Sequence, residues 1–192
     1  MYMGRNKDFK FISLGLIILG ISFLIDTYLV SLVPYLRIAF MNDFMLWISY
    51  FGTTIVVLII MSSLFMWQER KRKWILPLWL SVLLTSLIVY ILKILIARER
   101  PDIAPLILKN NFSFPSGHTA AAFSTLKILD KEFKKLKWFW LIICFLIGFS
   151  RFYLGVHYLS DVIGGGLLGY FVGVLIVKVR DRFRKRKLIK RK

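Results

Sequence analysis

Long apolar runs constrain this chain more than any other feature. A helix rises about 1.5 Å per residue, so a hydrocarbon core takes roughly 20 apolar residues to cross. Phe11 to Val33, Phe44 to Trp67 and Trp74 to Leu95 meet that length outright. Trp138 to Val156 is apolar apart from Ser150 and Arg151, and Val162 to Val179 apart from Lys178. Gly117 to Leu129 is shorter and carries Thr119, Ser124 and Thr125 among alanines. That composition predicts a crossing helix shielded by its neighbours rather than one facing lipid. With 192 residues, 58% of them hydrophobic, and a mean hydropathy of +0.68, the chain is too apolar for a soluble globule. The expectation is one all-α integral membrane domain of six transmembrane helices, at about 11–33, 44–67, 74–95, 117–130, 138–156 and 161–179. A basic tail, 180–192, follows. The single cysteine, Cys144, can form neither an internal disulfide nor a CxxC site.

Charge tests the helix count independently. Assigning segments alternately to two sides puts the basic residues before the first run, at Arg70 to Lys73, from Lys127 to Lys137, and from Lys178 onward on one side. Only Arg37, Lys93, Arg98, Arg100, Lys109 and Arg151, of 28 Lys and Arg, fall on the other. The positive-inside rule then makes both termini cytoplasmic, and an odd number of crossings would separate two strongly basic ends. Trp67, Trp74, Trp138 and Trp140 flank the cytoplasmic loops, where indoles sit at headgroup level. The first run follows Arg5, Lys7 and Lys10 as a signal peptide would, but its length and the lack of an Ala-x-Ala-like end favour a retained anchor. Its Asp26 is expected to face protein or an interface rather than lipid. The net charge of +18 is mostly cytoplasmic surplus: the tail reads as a juxtamembrane cluster against anionic lipid, not as a nucleic-acid arm.

The polar residues on the outer side are the ones such a fold should not carry idly. Lys93, alone, would be a snorkelling lysine. Its company changes the reading, because both histidines, His118 and His157, fall on the same side as Lys93, Arg100 and Arg151. His157 and Asp161 are spaced i,i+4, close enough on a helix for the carboxylate to hold a ring N–H and leave the other nitrogen free to attack; a helix-capping aspartate is the plainer alternative. Pro115-Ser116-Gly117-His118 opens a helix whose first-turn N–H groups are unpaired and suit an anion, with Ser116 as cap, anion contact or both. Gly165, Gly169 and Gly173, four apart, give the last helix a smooth face for packing. Three cations, backbone donors and two imidazoles are what phosphoryl transfer requires, and three cations would repel a metal ion. A phosphate-handling membrane enzyme is therefore expected, without metal or other cofactor. A transporter or channel is the alternative.

These residues resemble the signatures of the type 2 phosphatidic acid phosphatase (PAP2) superfamily of lipid phosphatases. The three signatures stand complete as Lys93-x6-Arg100-Pro101, Pro115-Ser116-Gly117-His118 and Ser150-Arg151-x5-His157-x3-Asp161. The resemblance implies a PAP2-like six-helix core with its pocket at the extracytoplasmic ends of the third to sixth helices. It implies that His157 attacks phosphorus, that Asp161 orients it, and that His118 protonates the leaving oxygen and then activates water. Lys93, Arg100 and Arg151 would clamp the phosphoryl group with Ser116 and the Gly117 N–H, metal-free and open to vanadate inhibition. The implied partner is a membrane lipid phosphate or isoprenoid pyrophosphate: phosphatidic acid, phosphatidylglycerophosphate or undecaprenyl pyrophosphate. A lipid phosphotransferase is the alternative within the family. Asp102, Ile103 and Pro105 to Leu108 are expected to form a short interfacial segment over a cleft open sideways to the bilayer.

Overall fold

The computed structural model describes residues 3–51, 53, 60–65, 67, 69–107 and 111–189. Within these the chain is helical: α1 (Met3–Leu32), α2 (Ala39–Phe51), α3 (Ile75–Ile96), α4 (Gly117–Glu132), α5 (Lys137–Tyr153) and α6 (Leu159–Ile189), with a helical stretch at 60–65. Among the described residues four spans are long and apolar enough to cross a membrane: Ile12–Leu36, Arg72–Ile96, Lys134–Tyr153 and Leu159–Arg184. The expected second span, 44–67, lies partly outside the described residues, and the part described begins earlier, at Ala39.

Helix ends follow local chemistry rather than hydropathy. α1 gives way after Leu32 because Pro34 has no N–H to extend the α-helical ladder, and the chain tightens into a 3-10 turn over Val33–Leu36. α3 ends where Ala97 takes φ +48° and returns its N–H to the Lys93 carbonyl at 3.0 Å. Pro77 is harmless in α3 because first-turn N–H groups have no intrahelical partner anyway. α5 ends at Tyr153, short of the apolar limit at Val156, since Gly155 adopts φ +75°. α6 begins at Leu159, before Asp161, and runs to Ile189. Residues 180–189 of the expected tail, 180–192, thus continue α6, and 190–192 lie outside the described residues.

At the centre lies α4, with α3, α5 and α6 around it, and its contact with α6 is the most extensive among the described elements. Ten of its residues, among them Thr119, Ser124 and Thr125, are buried. The hydroxyls of Ser124 and Thr125 donate to the carbonyls of Ala121 and Ala122, both at 2.8 Å, so they need no water. The glycine face of α6 makes the contact possible. A Cβ on Gly165, Gly169 or Gly173 would stand 2.5, 2.0 or 2.4 Å from the carbonyl oxygens of Ser116, Ala120 and Ser124. By contrast Leu24, Ile17, Leu76 and Ile142 are exposed around the bundle, as lipid-facing side chains should be.

Candidate active site

Antiparallel packing brings the C-terminal ends of α1, α3 and α5 beside the N-terminal ends of α4 and α6. The polar residues collect there: Asp26 on α1, Lys93 in the last turn of α3, Ser116 to His118 at the start of α4, Arg151 in the last turn of α5 and Asp161 in the first turn of α6. Ser116 N–H donates to the Asp161 carbonyl at 3.0 Å, which locks the start of α4 to the start of α6.

The helix breaks between His157 and Asp161, yet the pair survives. His157 sits in the corner before α6, and Asp161 reaches back to bring Oδ2 within 3.3 Å of Nδ1. Both are buried. On the other edge of the ring, Arg100 Nη1 lies 3.4 Å from Nε2. A guanidinium only donates, so Nε2 accepts, Nδ1 carries the proton, and that proton faces Asp161. Burial pushes the His157 pKa down to about 3, opposed by the hydrogen bond and charge of Asp161 and reinforced by Arg100 and Arg151. The ring is thus a neutral imidazole with its lone pair beside a cation.

The three cations differ in how they are held. Lys93 Nζ donates to the carbonyls of Phe112 and, at 3.0 Å, Ser113. Arg100 donates through Nε to the Asn111 carbonyl at 2.7 Å and through Nη1 to that of Val156. Its pKa is lowered, chiefly by burial. Arg151, only 1% exposed, donates from Nη1 to the Ser49 hydroxyl of α2, and among the described residues its buried Nε has no partner. A buried guanidinium with an idle donor is suited to an anion. Ser116 occupies the N-cap position of α4 but does not cap it, correcting that part of the expectation. Its hydroxyl instead accepts from Thr119 Oγ1 at 3.0 Å. Gly117 has room around it, since a Cβ there would meet only Val89 Cγ1 at 3.6 Å. Packing therefore does not demand glycine at that position. His118 is half-buried in the first turn of α4. Among the described residues no three His, Cys, Asp or Glu side chains gather as a metal site.

Sequence reasoning missed several residues here. Asp161 Oδ2 also accepts from Ser113 Oγ and, at 2.8 Å, from Tyr158 N–H, while Oδ1 accepts from Arg98 Nη1 at 2.9 Å. Arg98 in turn pairs with Asp26 at 2.8 Å. One signal was available: a carboxylate inside an apolar run needs a cation, and Arg98 was an outer-side cation without a task. The 102–107 segment folds onto the 154–156 corner, with Leu106 N–H donating to the Leu154 carbonyl at 3.1 Å and Arg37 Nη1 to that of Ala104 at 2.5 Å. Leu108 lies outside the described residues.

Residues 74–185, which contain all three signatures, match the family model described as PAP2 superfamily. The chain belongs to the PAP2 superfamily. It is 34% identical to phosphatidylglycerophosphatase B of Bacillus subtilis, over 78% of this chain and 80% of that protein. It is 30% identical to an undecaprenyl-diphosphatase of Sulfolobus acidocaldarius, over 80% and 77%. The crystal structure of a transmembrane PAP2-type phosphatidylglycerolphosphate phosphatase from Bacillus subtilis superposes with a TM-score of 0.76 at 26% identity, covering 95% of this chain and 98% of that one. These PAP2 relatives and the apolar helices make the chain a multi-pass membrane protein. Asp26 stands outside the matched region.

Proposed function

We propose that this PAP2 protein is a membrane lipid phosphatase that hydrolyses a terminal phosphate of a lipid phosphate or polyprenyl pyrophosphate at the extracytoplasmic face, without metal. The observation that carries the reading is the His157 ring, fixed by Asp161 at Nδ1 and presenting Nε2 beside Arg100. In the first step Nε2 bonds to phosphorus as the P–O bond to the lipid breaks, and His118 gives its proton to the departing oxygen. In the second, His118 takes a proton from water, whose oxygen displaces Nε2 from phosphorus. Lys93, Arg100, Arg151, Ser116 and the Gly117 N–H hold the phosphoryl oxygens, whose charge is spread in the transition state. The positive ring that forms when His157 is phosphorylated lies against Asp161.

A lipid substrate is supported by an apolar cavity of about 460 Å³, which runs from Thr119, next to His118 in sequence, and Leu159, two residues after His157, to Leu14 and Leu167. Its lining is almost wholly apolar and its size suits a hydrocarbon chain. The charge pattern supports six crossings with both termini cytoplasmic, which puts the site outside. The basic continuation of α6 then faces anionic lipid.

The test is phosphate release in detergent, with EDTA present, over phosphatidic acid, phosphatidylglycerophosphate, undecaprenyl pyrophosphate and a soluble sugar phosphate. Release from the lipids, abolished in His157→Ala and blocked by vanadate, is expected. Persistence of release in that variant would mean another nucleophile. Transfer of the phosphate to an alcohol in place of water would favour a phosphotransferase, and headgroup binding without cleavage a transporter.

A further inference from the structure

We propose that Asp26 and Arg98 are positioning residues, forming a brace from α1 through the Arg98 guanidinium to the far oxygen of Asp161 that holds the carboxylate, and through it the His157 ring, in its working orientation. The inference deepens the phosphatase reading and rests on it for its kinetic part. Arg98 spans the gap with both terminal nitrogens: Nη2 meets Asp26 Oδ2 at 2.8 Å, while Nη1 meets Asp161 Oδ1 at 2.9 Å and Ser160 Oγ at 2.6 Å. Asp26 closes the arrangement from the other side, accepting Ser160 N–H at Oδ1, 3.0 Å away, and the Ser160 hydroxyl at Oδ2. Both carboxylates are buried, at 1% and 0% exposure. The guanidinium carbon also lies over two rings, 4.0 Å from the Tyr158 ring centre and 5.2 Å from that of Phe23.

The division of labour at Asp161 makes this more than an anchor for α1. Oδ2 serves His157, Ser113 and the Tyr158 N–H, whereas Arg98 donates to Oδ1. Removing Arg98 takes the charged partner from Oδ1, so the carboxylate, still held at Oδ2 by Ser113 and the Tyr158 N–H, can pivot about that oxygen and its alignment with the Nδ1 proton loosens. Asp26 matters by charge as well as by geometry. An Arg98 without it would spend its whole positive charge on Asp161 and weaken that carboxylate's hold on the ring when the ring becomes positive in the reaction. Paired with Asp26, the guanidinium steadies Asp161 without neutralising it.

The experiment compares wild type with Asp26→Asn, Asp26→Glu, Arg98→Gln and the Asp26→Asn/Arg98→Gln double variant, purified in detergent. Kinetics use dioctanoyl phosphatidic acid, and ring-15N-histidine spectra report the tautomer, which a chain with two histidines makes assignable through His118→Ala. The expected result is a fall in kcat of roughly 10- to 100-fold in each charge-removing single variant with KM within about twofold, no further loss in the double, and partial recovery in Asp26→Glu. The Nδ1–H signature of His157 should give way to a tautomer mixture in both. Wild-type kcat together with an unchanged His157 spectrum in Asp26→Asn would overturn the proposal. So would parallel losses in kcat and melting temperature with no spectral change. If wild type hydrolyses nothing, the phosphatase reading fails, and the spectra alone still decide the brace. Asp26→Asn keeps the side-chain shape and carries the test should Arg98→Gln not fold.

Discussion

His157 shows how burial and partners divide the work at a single residue. Burial keeps its ring neutral down to about pH 3 in the folded protein, while the unfolded chain titrates near 6.5. The unfolded state therefore binds more protons between these values, and the stability this group contributes is full above about pH 6.5 and is lost as pH falls towards 3. The melting temperature in detergent should decline over that window, and less steeply in His157→Gln. An acid limb in kcat/KM near pH 6 should accordingly belong to another group, and it should survive replacement of Asp161 by Asn even as the rate falls. Gly117 offers a second test. A methyl group there has room in the protein itself, so Gly117→Ala should melt like wild type. If the Gly117 N–H contacts the phosphoryl group as proposed, it should lose about 10- to 100-fold in activity, because a methyl group there would crowd the approach of an anion to that backbone. Unchanged activity would remove the Gly117 N–H from the anion contacts.

Between elements, the contact of α4 with α6 sets the depth and register of the site. Gly169 is the tightest point, since an added Cβ would lie 2.0 Å from the Ala120 carbonyl oxygen, and backbone cannot step aside as a side chain can. Gly169→Ala should cost about 1–3 kcal/mol and lower the melting temperature. Gly20→Ala, on an α1 surface with nothing within 4 Å, should be neutral or slightly stabilising, as expected for alanine over glycine in a helix. The glycine spacing was readable from sequence as a packing face. Which helix it meets was not, because four-residue spacing says how closely helices approach and nothing about the partner. At the opposite end of the bundle α6 is tied again: Asp181 pairs with Lys131 of α4, and the Arg180 guanidinium stacks 3.5 Å from the Trp74 ring centre. The basic continuation of α6 is thus partly spent on fastening helices, not all of it available to lipid.

For the whole molecule, the proposed topology can be read with single cysteines, because Cys144 is buried and should resist labelling. In intact cells of a Cys144→Ser background, a membrane-impermeant maleimide should modify Tyr35→Cys, which is 86% exposed at the turn after α1. Lys135→Cys, exposed between α4 and α5, should react only after permeabilisation. The reverse pattern would turn the site to the cytoplasm.

The all-α membrane class, the family and the residues of the candidate site could be read from the chain alone: apolar length dictates helices, and the spaced polar residues at Lys93, Arg100, Ser116, His118, Arg151, His157 and Asp161 have no purpose in lipid unless they meet. The tertiary structure decided how they are braced. That Asp26 answers Arg98, that Arg98 grips Asp161, that Ser49 receives Arg151, and that Ser116 turns to Thr119 instead of capping α4 depend on helix rotation and depth. Hydropathy cannot encode those quantities, because a lipid-facing surface looks the same at every register, whereas a hydrogen bond forms at one.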